Sequence, residues 1–394
     1  AVIRSRGALS YQEAQERLDS DPAEDQSEVT VAIRNLWKLA QKLRSKRIED
    51  GALNLESGEL KFELDSETQN PVNVFSYESR DTNHLIEEFM LLANRKVAEE
   101  ISKCWEQTSV LRRHPPPKEE SMSELKKLLA AYGIKDFESG SNKELQYSLD
   151  HVDKPDDPFF NRLVRIMSTR CMDFARYFCT GDPDVPKKDW GHFGLAMDHY
   201  THFTSPIRRY ADVLVHRLLA ASQGIEALPV VMRNQQEIKD ACEHLNLKHR
   251  NAQYADRASV SFHLYQLFLK RGPTVAEGVI MRVQREGISV ASDEWGAEGL
   301  APLSSKNWLL IIDKQTAYGR PRSKFEGINM KVFDRAVVSI EADLEDLSQR
   351  FLKFTFLGMP KRRPDGKLAP LPAIPSSANP EAPSDLPPLP VVAE

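Results

Sequence analysis

The hydrophobic period of this chain changes once, at Gly272–Pro273, and no other feature constrains its fold as strongly. Up to that point apolar residues recur at helical spacing over long stretches. Beyond it, "VAEGVIMRVQREGISVAS" alternates like paired strands around a turn near Glu286–Gly287. "GLAPL", "WLLII" and "FDRAVVSIEAD" continue that pattern. The reading is an α+β protein in three parts. Residues 1–272 form a largely helical portion, 273–359 a small all-β barrel of the OB type, and 360–394 a proline-rich tail. The tail, "APLPAIPSSANPEAPSDLPPLPVVAE", lacks the apolar pattern of a core and is expected to be disordered or polyproline-like.

Composition narrows the function classes. Net charge is −5 over 394 residues, so there is no global electrostatic case for nucleic acid, and any such site must be local. Cys104, Cys171, Cys179 and Cys242 lack metal-ligand spacing, and with no signal peptide visible they read as reduced thiols of a cytosolic or nuclear protein. No apolar run is long enough to span a bilayer, so no membrane partner is expected. The opening "AVIRSRGALSYQEAQERL" has no initiator Met and is expected to be the middle of a domain.

Within the helical portion, "VAIRNLWKLAQKLRSKR" places Ile33, Leu36, Ala40 and Leu43 on one face. "GALNL" and "LKFELD" look like a short strand pair around Ser57–Gly58. "NHLIEEFMLLANRKVAEEI" is a second long helix, apolar nearly all round between Leu85 and Ala93 but interrupted by Glu87, Glu88 and Asn94. A carboxylate on such a helix is either paired or functional. The plain reading is that one glutamate faces solvent and the other pairs with an arginine. "FNRLVRIMSTRCMDFARYF" and about Val231 to Lys270 read as further helices.

The stretch "HYTHFTSPIRRYADVLVHRLLA" carries the chemistry. Ser205 as N-cap, Pro206 at the first position, and Ile207, Ala211, Leu214 and Leu218 at helical spacing predict a helix starting there. Arg208 and Arg209 would then sit in its first turn, where the dipole disfavours cations. A bound phosphate would explain them. So would ion pairs with carboxylates, Asp212 among them. Tyr200, Phe203 and Tyr210 suit stacked single-stranded bases, or else form a core cluster. His192, His199 and His202 could join Asp198 on a metal, but their spacing favours hydrogen-bonding loop histidines, one or two lining a groove.

These motifs, with "GALNLESGELKFELDSET", "LIEEFMLLAN", "TRCMDFARYFCTGD" and "LNLKHRNAQYADRASVSFH" in order, resemble the ribonuclease II (RNB) family of processive 3′-to-5′ exoribonucleases. The wording is most similar to the eukaryotic branch, and within it to the members that serve as catalytic subunit of the RNA exosome. The resemblance runs from about Ala1 to Leu357 and likens the barrel to the family's S1-type RNA-binding domain. It implies single-stranded RNA as substrate and nucleoside 5′-monophosphates as products. Arg208 would contact phosphate near the scissile bond, Glu87 the terminal nucleotides, and Tyr11 would be an active-site tyrosine. Arg209, Tyr200 and His202 would add RNA contacts. Leu55 falls where bacterial members carry a phenylalanine that clamps the terminal base, and it departs from that aromatic.

The resemblance also implies magnesium, held in the family by an aspartate cluster upstream of the point where this sequence starts. No such cluster occurs here; the acids of "KPDDPFF" and "GDPDVP" sit in proline-bearing loops. The chain is therefore expected to carry half of an active site and to be inactive alone. Its implied partners are RNA, exosome core subunits and the N-terminal half of the same enzyme, in the nucleus (nucleolus) and cytoplasm. Two alternatives stand beside this: a catalytically inactive RNA-binding regulator of the family, or a scaffold docking an exosome-like complex.

Overall fold

Serine caps open the first two helices. Ser10 accepts the Glu13 N–H while Glu13 returns a bond to the Ser10 N–H, a reciprocal cap that starts α1 (Tyr11–Asp19). Ser27 caps α2 (Glu28–Glu49). The protein is described here by a computed structural model covering residues 2–360, apart from 24, 56–59, 78, 155–156, 158, 304–307, 314–315, 322–326 and 345–350. On α2 the inward residues include Ala40 and Arg47, whereas Leu36, expected inside, is exposed.

The strand expected at "GALNL" does not form. "LKFEL" is β1 (Leu60–Leu64), and it pairs forward with β2 (Pro71–Ser76) in an antiparallel hairpin. The expected turn at Ser57–Gly58 lies outside the described residues. The turn that does form closes on Asp65, whose carboxylate accepts the Glu67 and Thr68 N–H groups.

Next come α3 (Asp81–Cys104), β3 (Val110–Arg113), α4 (Glu119–Ala131), α5 (Asn142–His151), α6 (Phe159–Arg170) and β4 (Arg176–Cys179). The helix expected to run through Phe178 stops at Arg170, and its last residues pair with β3 as a strand instead. Arg176–Cys179 has an aromatic and a buried cysteine facing a core, which suits a strand better than another helical turn. Then follow α7 (Tyr210–Ser222) and the long α8 (Gln235–Arg271). The core here joins Ile101 of α3, Leu111 of β3, Phe178 of β4, Leu214 and Leu218 of α7, and Ile238 and Cys242 of α8.

The remaining strands are β5 (Thr274–Gln284), β6 (Gly287–Ala291), β7 (Glu298–Pro302), β8 (Trp308–Asp313), β9 (Thr316–Pro321), β10 (Ile328–Lys331), β11 (Arg335–Ala342) and β12 (Leu352–Gly358). Five of them make an antiparallel sheet in the order β12-β11-β5-β6-β7, and β10-β9-β8 make a second. The five-stranded sheet curls until β7 meets β12: Gly299 lies directly against the Phe354 ring. Ala276, Ile280, Val290, Ala301, Val338 and Phe354 fill its interior. This is the expected small barrel on a mixed α+β chain. The proline-rich tail lies outside the described residues.

By packing, the chain divides into two units. Among the described residues, those up to 55 and from 79 to 253 form one unit; those of 60–77 and 254–360 form the other. Within the second unit, Phe268 of α8 meets Trp295 edge-on at 5.4 Å, and Tyr265 donates to the Asp343 carbonyl at 3.4 Å. The hairpin joins the same unit through Leu60, which fills the space beside Gly296, and through Phe62 against His263.

Barrel closure at Gly299 is testable. A Cβ there would lie 2.2 Å from Phe354 Cδ2. Gly299→Ala should destabilise the protein by about 1–3 kcal/mol in chemical denaturation. Adding Phe354→Leu should recover part of that loss; an unaffected midpoint for the single variant would mean that β7 and β12 do not touch.

Candidate functional site

The two arginines of "SPIRR" part company. The Ser205 carbonyl accepts the N–H groups of Arg208 at 3.2 Å and Arg209 at 3.1 Å, closing a turn over Pro206 and Ile207. Arg209 is extended, at φ −130° and ψ 119°, so the helix starts at Tyr210 and not at Ser205 as expected. Asp212 is the cause. It is fully buried and accepts the Ser205 N–H at 2.7 Å, Arg209 Nε at 2.7 Å and Arg209 Nη2 at 2.8 Å. Three bonds to one buried carboxylate outweigh another helical turn. Arg209 is thus committed to Asp212. Arg208 is exposed and forms no ion pair among the described residues, with Ile207 and Tyr210 exposed on either side.

The segment before this turn is buried and polar. Tyr200 is 6% exposed, edge-on to His192 and His202, and its hydroxyl accepts from Asn94 Nδ2 at 3.2 Å. The ring is thus largely covered by side chains of its own chain. Phe203 stacks on His216 at 4.2 Å. His202 Nδ1 and the Tyr177 hydroxyl share a hydrogen bond of 2.6 Å.

Sequence reasoning missed the cation behind them. Arg112, on β3, is 8% exposed and has no carboxylate partner among the described residues. Its guanidinium lies 4.7 Å over the Tyr177 ring, Nη2 is 3.3 Å from His249 Nε2, and Nη1 is unbonded. Burial pulls its pKa below the usual arginine range. The signal available was slight: an arginine directly after the apolar pair Val110–Leu111 in "SVLRRH". Burial, then the charges of Arg112 and Arg209, push His202 down to about 2. Burial, then His114 and Arg112, push His192 down to about 3. Both imidazoles are neutral near pH 7.

The remaining candidates sit on neighbouring helices. Glu88 is buried and held by Arg47 of α2, with Nη2 to Oε1 at 2.5 Å. Glu87, the next residue outward, is half exposed, 3.2 Å from His84 Nδ1 and 3.8 Å from Arg47. Tyr11 opens α1 with its ring partly exposed, and its carbonyl accepts from Thr82 of α3 at 2.8 Å. Leu55 lies on the segment after α2, anchored by Leu53 N–H to Gly194 O and Asn54 N–H to Gln146 Oε1. Among the described residues no three His, Cys, Asp or Glu side chains group to hold a metal ion. They do not by themselves fit magnesium, which needs several oxygens in octahedral array.

The depressed histidines make stability pH-dependent. Below 6.5, the ordinary histidine value, the unfolded chain binds a proton at His202 that the folded chain refuses down to about 2. Stability is therefore full above about pH 6.5 and falls on acidification. Between about pH 6 and 5, His202→Gln should flatten the dependence of unfolding free energy by roughly 1 kcal/mol per pH unit. An unchanged slope would mean that His202 titrates normally in the folded protein.

The RNB domain model matches residues 1–223. Human exosome complex exonuclease RRP44 is 39% identical over 360 residues, covering 91% of this chain and 36% of that protein. The chain thus spans about a third of that relative's length. RNase R of Mycoplasma genitalium, solved with ribose-methylated single-stranded RNA, superposes with a TM-score of 0.74 at 22% identity, over 89% of this chain and 53% of that one. Yeast Ssd1, described as a pseudonuclease, superposes with a TM-score of 0.69 at 17% identity, over 88% and 53%. A domain match over more than half the chain and a relative this similar along nearly all of it leave one conclusion: the chain belongs to the RNB family.

Proposed function

We propose that this chain is the distal part of a 3′-to-5′ exoribonuclease that degrades single-stranded RNA processively to nucleoside 5′-monophosphates, as the catalytic subunit of an exosome. One observation carries the reading. Arg208 stands exposed, with no ion pair among the described residues, on a turn that Arg209 and buried Asp212 hold still. A guanidinium so placed meets a phosphate without breaking an existing pair. In the reaction Arg208 neutralises charge growing on the attacked phosphate, while Glu87 and Tyr11 position the 3′-terminal nucleotide. Leu55 gives that base an apolar contact without stacking. Arg209 holds the turn, and neutral His202 lines the same region without adding charge.

The complete enzyme uses magnesium, with ligands outside the described residues. The human relative is named as an exosome complex exonuclease, which supports exosome core subunits as partners; a nuclear and cytoplasmic site of action belongs to the same proposal. An N-terminal portion of the same enzyme would supply the facing wall of the groove. The barrel acts as an S1-type contact for single strands. The inactive-regulator reading keeps one point in its favour: the fold is shared with a pseudonuclease.

In the full-length protein, Arg208→Ala should lower the rate of mononucleotide release by about 10²–10³ and change RNA affinity much less. A full-length protein that binds RNA but releases no mononucleotide would favour the regulator. A full-speed Arg208→Ala enzyme would remove the role given to that side chain.

Arg282 and Arg285 are exposed at the β5–β6 end of the barrel and form no ion pair among the described residues. Replacing both with glutamine should weaken single-strand binding. It should also reduce the slope of log K on log salt by about 0.7 for each phosphate that is no longer neutralised. Filter binding across a salt series measures both, and an unchanged slope would remove these arginines from the RNA path.

A further inference from the structure

The segment 201–205 has neither helix nor strand, yet it is tied down on several sides. Thr201 Oγ1 donates to the Val110 carbonyl at 2.7 Å. The Tyr200 carbonyl accepts the Arg112 N–H at 2.7 Å. Two side chains set where the segment ends. Asp212 of α7 takes the Ser205 N–H, and Asn94 of α3 takes the Phe203 N–H on Oδ1 at 2.9 Å. Asn94 also donates Nδ2 to the Tyr200 hydroxyl at 3.2 Å. It is 3% exposed, and both ends of its amide are used.

Asn94 lies two turns along α3 from Glu87. Its amide is a direct polar tie between the helix that carries Glu87 and the segment that leads into Arg208. A leucine of similar size would leave a buried N–H and a buried hydroxyl without that partner. The segment would then be free to shift, and a displacement of about 1 Å at a reacting group can cost about a hundredfold in rate.

The geometry points to Asn94 as a positioning residue, which fixes the Arg208 turn relative to the Glu87 helix and so sets how well the arginine meets the scissile phosphate. The inference rests on the role proposed for Arg208. Asn94 touches no substrate and acts through the turn.

The experiment uses the full-length enzyme and a labelled single-stranded RNA, with kcat and KM measured for Asn94→Leu, Asn94→Asp, Arg208→Ala and the double variant Asn94→Leu with Arg208→Ala. Asn94→Leu should lower kcat by about 10- to 100-fold with KM changed less than about threefold. Asn94→Asp should recover most of the rate. Its carboxylate still accepts the Phe203 N–H and can accept the Tyr200 hydroxyl proton, in surroundings where Arg112 and Arg209 both act on Tyr200. The double variant should be no slower than Arg208→Ala, because a misplaced turn costs nothing once its arginine is gone. If the two losses multiply, or if KM rises as much as kcat falls, the positioning role is overturned while that of Arg208 stands. A full-speed Arg208→Ala enzyme instead overturns the reading of Arg208 itself. Should Asn94→Leu fail to fold, the same comparison is made with Tyr200→Phe, which removes one of the two bonds. A Tyr200→Phe enzyme with wild-type kcat alongside a slow Asn94→Asp enzyme would also count against the proposal.

Discussion

The candidate site depends on a buried carboxylate. Asp212 has no exposed surface and would be costly to ionise there without partners. Its bonds come from a bidentate guanidinium and a backbone N–H. Removing the arginine would strand a buried anion, and removing the aspartate would strand three donors. The pair therefore constrains both ends of the turn, Ser205 at its start and Arg209 at its end. Arg208 emerges between them, exposed. Arg209 is used up so that Arg208, just before it, is presented in a defined place.

A second electrostatic device lies behind the turn. Arg112 is a buried cation with aromatic and imidazole neighbours but, among the described residues, no carboxylate. Its charge helps keep His202 and His192 unprotonated, and that of Arg209 adds to the effect at His202. The chain as a whole is acidic, at −5, yet this region gathers arginines beside neutral rings. Cationic side chains are thus grouped locally on a chain that is acidic as a whole.

In the β unit, closure depends on the smallest side chain. Gly299 has no room for a methyl group beside Phe354, so a sheet that would otherwise expose two edges brings β7 and β12 together. The same unit recruits apolar residues from distant sequence. Leu60 comes from the hairpin, and Phe268 comes from the last turns of α8. Such recruitment explains why the boundary between the units falls inside a helix rather than at the glycine and proline that end it.

Much of this was legible in the residues. Helix period, capping serines and strand alternation are local properties, so α2, α3, α8 and the β5–β6 pair follow from short windows of sequence. The family resemblance was also visible, because ordered motifs survive without coordinates. Other features were not local. The "LKFEL" strand could pair backward or forward, and it was β2 that met it in register. Ser205 and Pro206 are good helix starters, but Asp212, seven residues from Ser205, supplied a stronger set of bonds. That Tyr200 is buried, with its hydroxyl held by Asn94 over a hundred residues away, could not be read from its own window of sequence. The sequence by itself determined the long helices, the strand alternation of the β unit and the family. Tertiary structure alone decided which arginine is left exposed, because that depends on where a buried carboxylate finds its partners, and burial is a property of the packed chain.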